Sequence, residues 1–209
     1  AKMVELVLAQ AQDGSTIGHG ICEFIDNSID FDANRVDVSF DLEELEIPWD
    51  PNPDRVFFRP WIMVKDNGVG IGGKSEDGVG IEAIKKALGQ ATSPDEEYCM
   101  SRLGAFGIGL PAAALSSSKF CTVFSRNGES KAVGHMSLDD MKNHGSLRFF
   151  GLNDIGDWLK NSKAFTRAVN EFEKMNKGTI VLIQDVYSIR RLIDKHNIEN
   201  FQGWKDGMN

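Results

Sequence analysis

The chain is 209 residues long with 41% hydrophobic and 26% charged residues, the make-up of a soluble globular protein with room for one domain and a sizeable core. Its formal charge of −8 weighs against broad contact with nucleic-acid phosphates. With no apolar run near the roughly 18–20 residues of a membrane helix, no secretion signal in "AKMVELVLAQ", and no metal or redox spacing among Cys22, Cys99 and Cys121, a cytoplasmic protein (nuclear if eukaryotic) with reduced thiols and no zinc or membrane contact is expected.

In chain order, "STIGHGICEFIDNSIDFDA" (15–33) predicts a helix with Ser15 or Thr16 as N-cap. "NRVDVSFDL" alternates as a strand does. "EIPWDPNPDR" is a Pro-bearing loop, and "FFRPWIMVKD" a second strand. Residues 79–89 predict a short helix ending at Gly89. "QATSPDEEYCMSRLGAFGIG" is then a loop of the length that usually forms a lid or binding loop. "LPAAALSSS" starts a helix with Pro111 in its first turn. "KFCTVFSR" and "KAVGHMSL" form a hairpin around Asn127-Gly128, and "SLRFFGL" adds a strand. Residues 154–176 are expected to be helical and "GTIVLIQDV" to be a buried strand. Helices and strands mix without strict β-α-β alternation. The expected architecture is an α/β (α+β) two-layer sandwich, a mixed, mostly antiparallel sheet with helices on one face.

The first helix carries two opposed faces. Ile17, Ile21, Ile25 and Ile29 recur at i+4 and are expected to face the core. Glu23, Asp26, Asn27 and Asp30 fall together on the other side. A solvated surface is the plain reading of such a face. Surface helices usually mix charge signs, however, and residues 15–34 contain no Lys or Arg. A cation or polar ligand on that side would relieve the repulsion, and Mg²⁺, which takes few protein oxygens and completes its shell with water and phosphates, suits it.

"KDNGVGIGGKS" (65–75) matches three nucleotide-binding patterns. Gly68, Gly73, Lys74 and Ser75 spell the P-loop pattern G-x-x-x-x-G-K-[ST]. Gly68, Gly70 and Gly73 spell the dinucleotide fingerprint G-x-G-x-x-G. Asp66, Gly68 and Gly70 spell D-x-G-x-G. The first two need a helix to begin at once, so that phosphates meet its N-terminal amides. "EDGVG" follows instead, and Gly78 and Gly80 each weaken a helix by about 1 kcal/mol relative to Ala. The third pattern needs no such helix. A strand-end carboxylate can accept from an adenine amino group, and glycines let backbone pass close to a flat base. Lys74 and Ser75 then read as a solvated turn. Gly104, Gly107 and Gly109, just before a Pro-started helix, offer free amides and a positive helix end to a triphosphate.

These residues together resemble the GHKL or Bergerat-fold ATPases, among them gyrase B, the heat-shock chaperone of ninety kilodaltons, MutL, MORC proteins and histidine-kinase catalytic domains. "CEFIDNSID" is similar to that family's N-box E-x-x-D-N-x-x-D, "KDNGVGI" to its adenine motif, "LGAFGIGL" to its glycine motif at the lid, and "GTIVLIQD" to its last conserved strand. The resemblance implies one Bergerat-fold ATP-binding domain over residues 1–209. It implies Glu23 as general base and Asn27 as Mg²⁺ ligand, with Asp26 or Asp30 orienting the base or a water, or serving structure. Asp66 would bind the adenine amino group, helped through water by Thr179, with Gly68, Gly70 and Ile71 lining the base pocket. Gly104, Ala105, Phe106, Gly107, Ile108, Gly109 and Leu110 would give amides to the phosphates, and Thr92 and Ser93 would lie in a closing lid. Positioning and charge neutralisation do most of the work in such phosphoryl transfer.

The implied function is Mg²⁺-dependent ATP binding and slow hydrolysis, with nucleotide-gated lid closure and homodimerisation or control of an unknown client. Many gyrase- and MutL-like members take a γ-phosphate lysine from a following transducer domain, which this chain is expected to lack. The rival readings are a non-hydrolysing nucleotide-binding interaction module, a histidine-kinase-type catalytic domain, and a P-loop NTPase using Lys74.

Overall fold

A computed structural model of the chain describes residues 17–45, 57–74, 78–87, 109–144, 153 and 155–196. Among them the order of elements is α1 (Ile17–Asp30), β1 (Val36–Leu45), β2 (Phe57–Asp66), α2 (Ile81–Ala87), α3 (Gly109–Ser117), β3 (Ser118–Asn127), β4 (Ser130–Ser137), α4 (Leu138–His144), α5 (Asp157–Lys160), α6 (Lys163–Lys174), β5 (Lys177–Val186) and α7 (Tyr187–His196). The strands form one five-stranded sheet in the order β1-β2-β5-β3-β4, and every described ladder is antiparallel. The expected strand at 146–152 and the N-caps Ser15 and Thr16 lie outside the described residues. None of the described helices is long and apolar enough to cross a membrane.

The α/β class stands, but the helices cover both faces of the sheet instead of one. The reason is in the three central strands, which are buried at nearly every position, around the apolar runs Trp61–Val64 and Ile180–Ile183, and so enclose side chains on both sides. Ile62, Val64, Cys121, Val123, Val181 and Ile183 point to one core, which α1, α2, α3 and α4 complete. Trp61, Met63, Phe124, Ile180 and Leu182 point to the other, closed by α5 and α6 through Leu159, Phe165, Ala168 and Phe172. The region expected as a single helix from 154 to 176 is two helices because Ser162 interrupts it. Its extended backbone and hydroxyl, which accepts from the Phe165 amide at 3.0 Å, make it the N-cap of α6. The β3–β4 turn is Gly128-Glu129, one residue later than expected, with Gly128 at φ +60°.

The core face of α1 also differs from expectation. Its buried residues are Gly20, Phe24 and Ser28, with Ile17 and Ile21 packed beside them, while Ile29 is 53% exposed. An i+4 series drifts by about 40° per step around a helix of 3.6 residues per turn, so four successive isoleucines walk off the face they start on.

A buried polar cluster fixes α6 to the sheet. Glu43, on the edge strand β1, is ion-paired with Arg59, and both are almost wholly enclosed. Glu43 also accepts from the Ala164 amide at 3.3 Å and from Gln184 Nε2 at 3.3 Å, and Gln184 Nε2 donates to Ser162 Oγ at 3.1 Å. The carboxylate thereby satisfies an otherwise orphaned amide in the first turn of α6. Arg59→Leu leaves that charge buried and unpaired. It should cost about 3–5 kcal/mol of unfolding free energy in urea, and an unchanged midpoint would refute the role given to the pair.

His135 on β4 is buried beside Thr122, with Nδ1 2.9 Å from Thr122 Oγ1, and burial pushes its imidazole down to about 4 from 6.5. The unfolded chain takes up this proton near pH 6.5 while the folded one resists it down to about 4. The resulting stability is therefore complete above pH 6.5 and is lost as pH falls toward 4. The shift corresponds to about 3 kcal/mol. Urea titrations at neutral pH and about pH 4 should show His135→Gln losing less stability on acidification than the parent by that order.

Candidate functional site

The site is built where the end of β2 meets α1 and the start of β5. Asp66 ends β2 and is buried, at 6% exposure. Its Oδ1 accepts from the Gly68 amide at 2.8 Å and the Thr179 amide at 3.1 Å, and its Oδ2 lies 3.1 Å from Ser28 Oγ. Burial raises its pKa, and the amides of Gly68 and Thr179 and the hydroxyls of Ser28 and Thr179 oppose that rise by stabilising the charged form. The Ser28 hydroxyl also reaches the Phe24 carbonyl, at 2.9 Å. Its single proton serves one acceptor at a time, so Oδ2 keeps capacity for a further donor. Thr179 Oγ1 is buried beside the same carboxyl without a hydrogen bond of normal geometry. A buried hydroxyl left so is uncommon.

Close backbone contact explains the glycines around Asp66. A Cβ on Gly68 would collide with the Phe31 carbonyl oxygen of the turn after α1, whose acceptor the Val69 amide takes at 2.8 Å. Gly178 has φ +124°, and a Cβ there would collide with the carbonyl oxygen of Asp66 itself. Gly70, at φ +74°, sits 2.8 Å from the Arg126 carbonyl by the same measure. These approaches are within the chain, where the sequence pattern suggested room for a base. Ile71 likewise sends its side chain into the core, at 4% exposure, and its amide to Ser125 Oγ at 2.7 Å.

Two residues bolt this loop to the end of α1 and the turn that follows it. Asn67 Oδ1 accepts from the amides of Asn34 at 3.1 Å and Arg35 at 3.0 Å, and its Nδ2 donates to Asn34 Oδ1 at 2.7 Å. Lys74 Nζ donates to the Asp30 carbonyl at 2.9 Å and pairs with Asp32 at 2.7 Å. Lys74 is therefore a cation at the C-terminal end of α1, where the helix dipole favours it, rather than a solvated turn residue. It also supplies the positive charge that residues 15–34 lack. The P-loop reading fails on this geometry, because Lys74 is committed to α1 and the next described helix begins only at Ile81. Ser75 lies outside the described residues.

Along α1 the Glu23 side chain is exposed, and Asp26, Asn27 and Asp30 are half-buried. Asn27 Nδ2 donates to the Glu23 carbonyl at 2.7 Å, which fixes its amide and leaves Oδ1 with no hydrogen bond from the described residues. A hard cation takes such an amide oxygen. No group of three or more His, Cys, Asp or Glu among the described residues forms a metal cluster. The donor set thus fits a Mg²⁺ that draws its other ligands from water and phosphates, and does not fit an all-protein cage. Gly109 begins α3 and Leu110 is buried in the core. Gly20 lets α3 approach α1 closely, with Ala113 O 3.2 Å from where a Cβ would stand. Thr92, Ser93, Gly104, Ala105, Phe106, Gly107 and Ile108 lie outside the described residues.

The structure therefore joins Asp66, Gly68 and Thr179 into one cluster, with Asn27 one helical position from its Ser28 neighbour. Sequence reading missed Ser28, Asn67 and Lys74 as parts of it. Ser28 had a signal, since it follows Gly20 and Phe24 at i+4 on the buried stripe, where a polar residue needs a partner.

The family model described as Histidine kinase-, DNA gyrase B-, and HSP90-like ATPase matches residues 15–179. The chain belongs to this family, whose domains bind ATP, and it carries a GHKL-type ATP-binding domain. No curated protein matches the chain.

Ser28→Ala removes one donor from a buried carboxylate. It should lower unfolding free energy by about 1–3 kcal/mol in urea; a change within error would mean that Ser28 serves only the Phe24 carbonyl.

Proposed function

We propose that the Asp66 cluster reads the base of ATP and that the acidic face of α1 turns the bound nucleotide over by slow hydrolysis. The observation that carries this reading is a buried carboxylate whose Oδ2 shares the single Ser28 proton with the Phe24 carbonyl, with the Thr179 hydroxyl buried close beside it. An adenine amino group is a donor of the kind Oδ2 can still take. The Thr179 hydroxyl, through a water, can serve a ring nitrogen next to it.

Glu23, exposed on the same helix as Asn27, would accept the proton of the attacking water, a role worth roughly 10²- to 10⁴-fold in rate. Asn27 would hold Mg²⁺, which when bound neutralises phosphate charge. Asp26 and Asp30 would orient that water or the base. The glycine run from Gly104 to Leu110 would lend amides to the phosphates, and the segment bearing Thr92 and Ser93 would close over them. Closure would then gate homodimerisation or a client protein. The second reading keeps the same nucleotide site without turnover. It is favoured by the absence, among the described residues, of a lysine aimed at the site, since Lys74 is engaged with α1.

Calorimetric ATP binding and phosphate release separate these readings. Asp66→Asn, which keeps the shape but reverses half of the donor and acceptor roles, should abolish ATP binding, while Lys74→Ala should retain it. Glu23→Ala should bind ATP and lose turnover by about 10²-fold or more. Unchanged turnover would remove Glu23 as base. ATP binding with no phosphate release by the parent chain at any protein concentration would select the non-hydrolysing module.

A further inference from the structure

The side of the sheet away from the nucleotide cluster carries a second feature. α6 buries Ala164, Phe165, Ala168 and Phe172 against the sheet. Its exposed Lys163, Arg167, Asn170 and Lys174 follow one another at i, i+4, i+7 and i+11, which sets them in one stripe along the outer side. At 1.5 Å per residue the stripe is about 16 Å long. An open groove of about 480 Å³ runs along it, its lining completed by Asn161, Thr166 and Glu171.

The charges in this groove are unbalanced. Its one carboxylate, Glu171, is engaged by Lys65 of β2 at 2.6 Å. The other carboxylate of α6, Glu173, is met by Lys131 at 3.2 Å and by Arg126 at 3.8 Å. On the same side of the sheet, Asp37 of β1 is paired with Arg35, and Asp41, opposite Trp61, accepts from the Leu42 amide. Lys163, Arg167 and Lys174 are within ion-pair distance of no carboxylate among the described residues, although Lys65 first, and then Lys174 and Arg167 through space, hold the Glu171 carboxyl below its usual range. Arg167 is held over the Trp61 ring, its Cζ 5.3 Å from the ring centre.

We propose that the outer face of α6 is a docking surface for the sugar-phosphate backbone of a nucleic-acid duplex. Three cations interleaved with Asn161, Thr166 and Asn170 make up the residue set that contacts phosphate oxygens. A net charge of −8 sums over the whole chain and conceals this side, which the sheet separates from the acidic face of α1. A membrane surface fits less well. A helix that lies on lipid turns apolar side chains outward, whereas every buried apolar side chain of α6 is used in the core. Nothing in the groove is shaped to enter a base step, so the binding is independent of sequence.

The test is fluorescence anisotropy of the 209-residue chain with a labelled mixed-sequence DNA duplex across a KCl series, without nucleotide. Binding should be measurable at about 50 mM salt, and log K should fall with log salt at a slope near −3, as three neutralised phosphates require. The exposed triple variant K163A/R167A/K174A should lose more than tenfold in affinity and most of that slope while keeping its urea midpoint. Lys85→Ala combined with Lys119→Ala, two cations on the opposite side of the sheet, should change neither. No binding at 50 mM salt, equal loss in the two variants, or unchanged binding by the triple variant would overturn the proposal. So would capture of phosphatidylserine vesicles by the parent chain with the duplex left unbound.

Discussion

A single carboxylate organises this fold at the place where function is expected. Asp66 is buried at the end of a central strand, and an unpaired charge there would be intolerable. It is kept by donors from three separate stretches of chain: the glycine loop that follows it, the hydroxyl of Ser28 on α1, and the amide of Thr179 at the start of β5. Each donor requires its own segment to come close. Gly68 and Gly178 have no side chain because the backbone of another segment occupies that space. The constraint runs from charge, to hydrogen bond, to backbone approach, and finally to glycine.

Much of the architecture was legible because the strands obey local rules. β2 and β5 are read almost to the residue from their apolar runs and from the residues that bound them, and α3 from its Pro-bearing first turn. Three features were not legible for physical reasons. The i+4 isoleucines of α1 looked like a core face, but the true stripe is the neighbouring i+4 series Gly20, Phe24 and Ser28, two of which carry no apolar side chain. The second helical layer was only half legible: the unbroken runs Trp61–Val64 and Ile180–Ile183 mark strands buried on both faces, but which helix covers the added face depends on contacts far along the chain. The break before α6 hung on one serine whose capping role depends on its backbone angle.

The site was legible in its ends more than in its middle. Asp66, Asn27 and Thr179 stand out by pattern. Asn67 and Lys74 act through contacts with the turn after α1, dozens of residues earlier in the chain, and no local periodicity marks such pairs. Lys74 reads as a solvated turn once Gly78 and Gly80 remove the phosphate cradle, and nothing local in the sequence aims its ammonium at the last turn of a helix. Net charge is blind in a related way: a sum over the chain says nothing about how a sheet partitions cations and carboxylates between its two sides.

The amides of Gly68 and Thr179 end on the same carboxylate oxygen although 111 residues separate them. The Gly68 bond closes within its own segment, two residues along, whereas the Thr179 bond exists only while β5 stays beside the end of β2. Exchange of the Thr179 amide with deuterium from solvent therefore reports the parting of β2 from β5 at the Asp66 end of the sheet, with the Gly68 amide as a local reference. One peptide group thus serves as an intrinsic gauge of that junction, readable in the native protein without a label or a ligand.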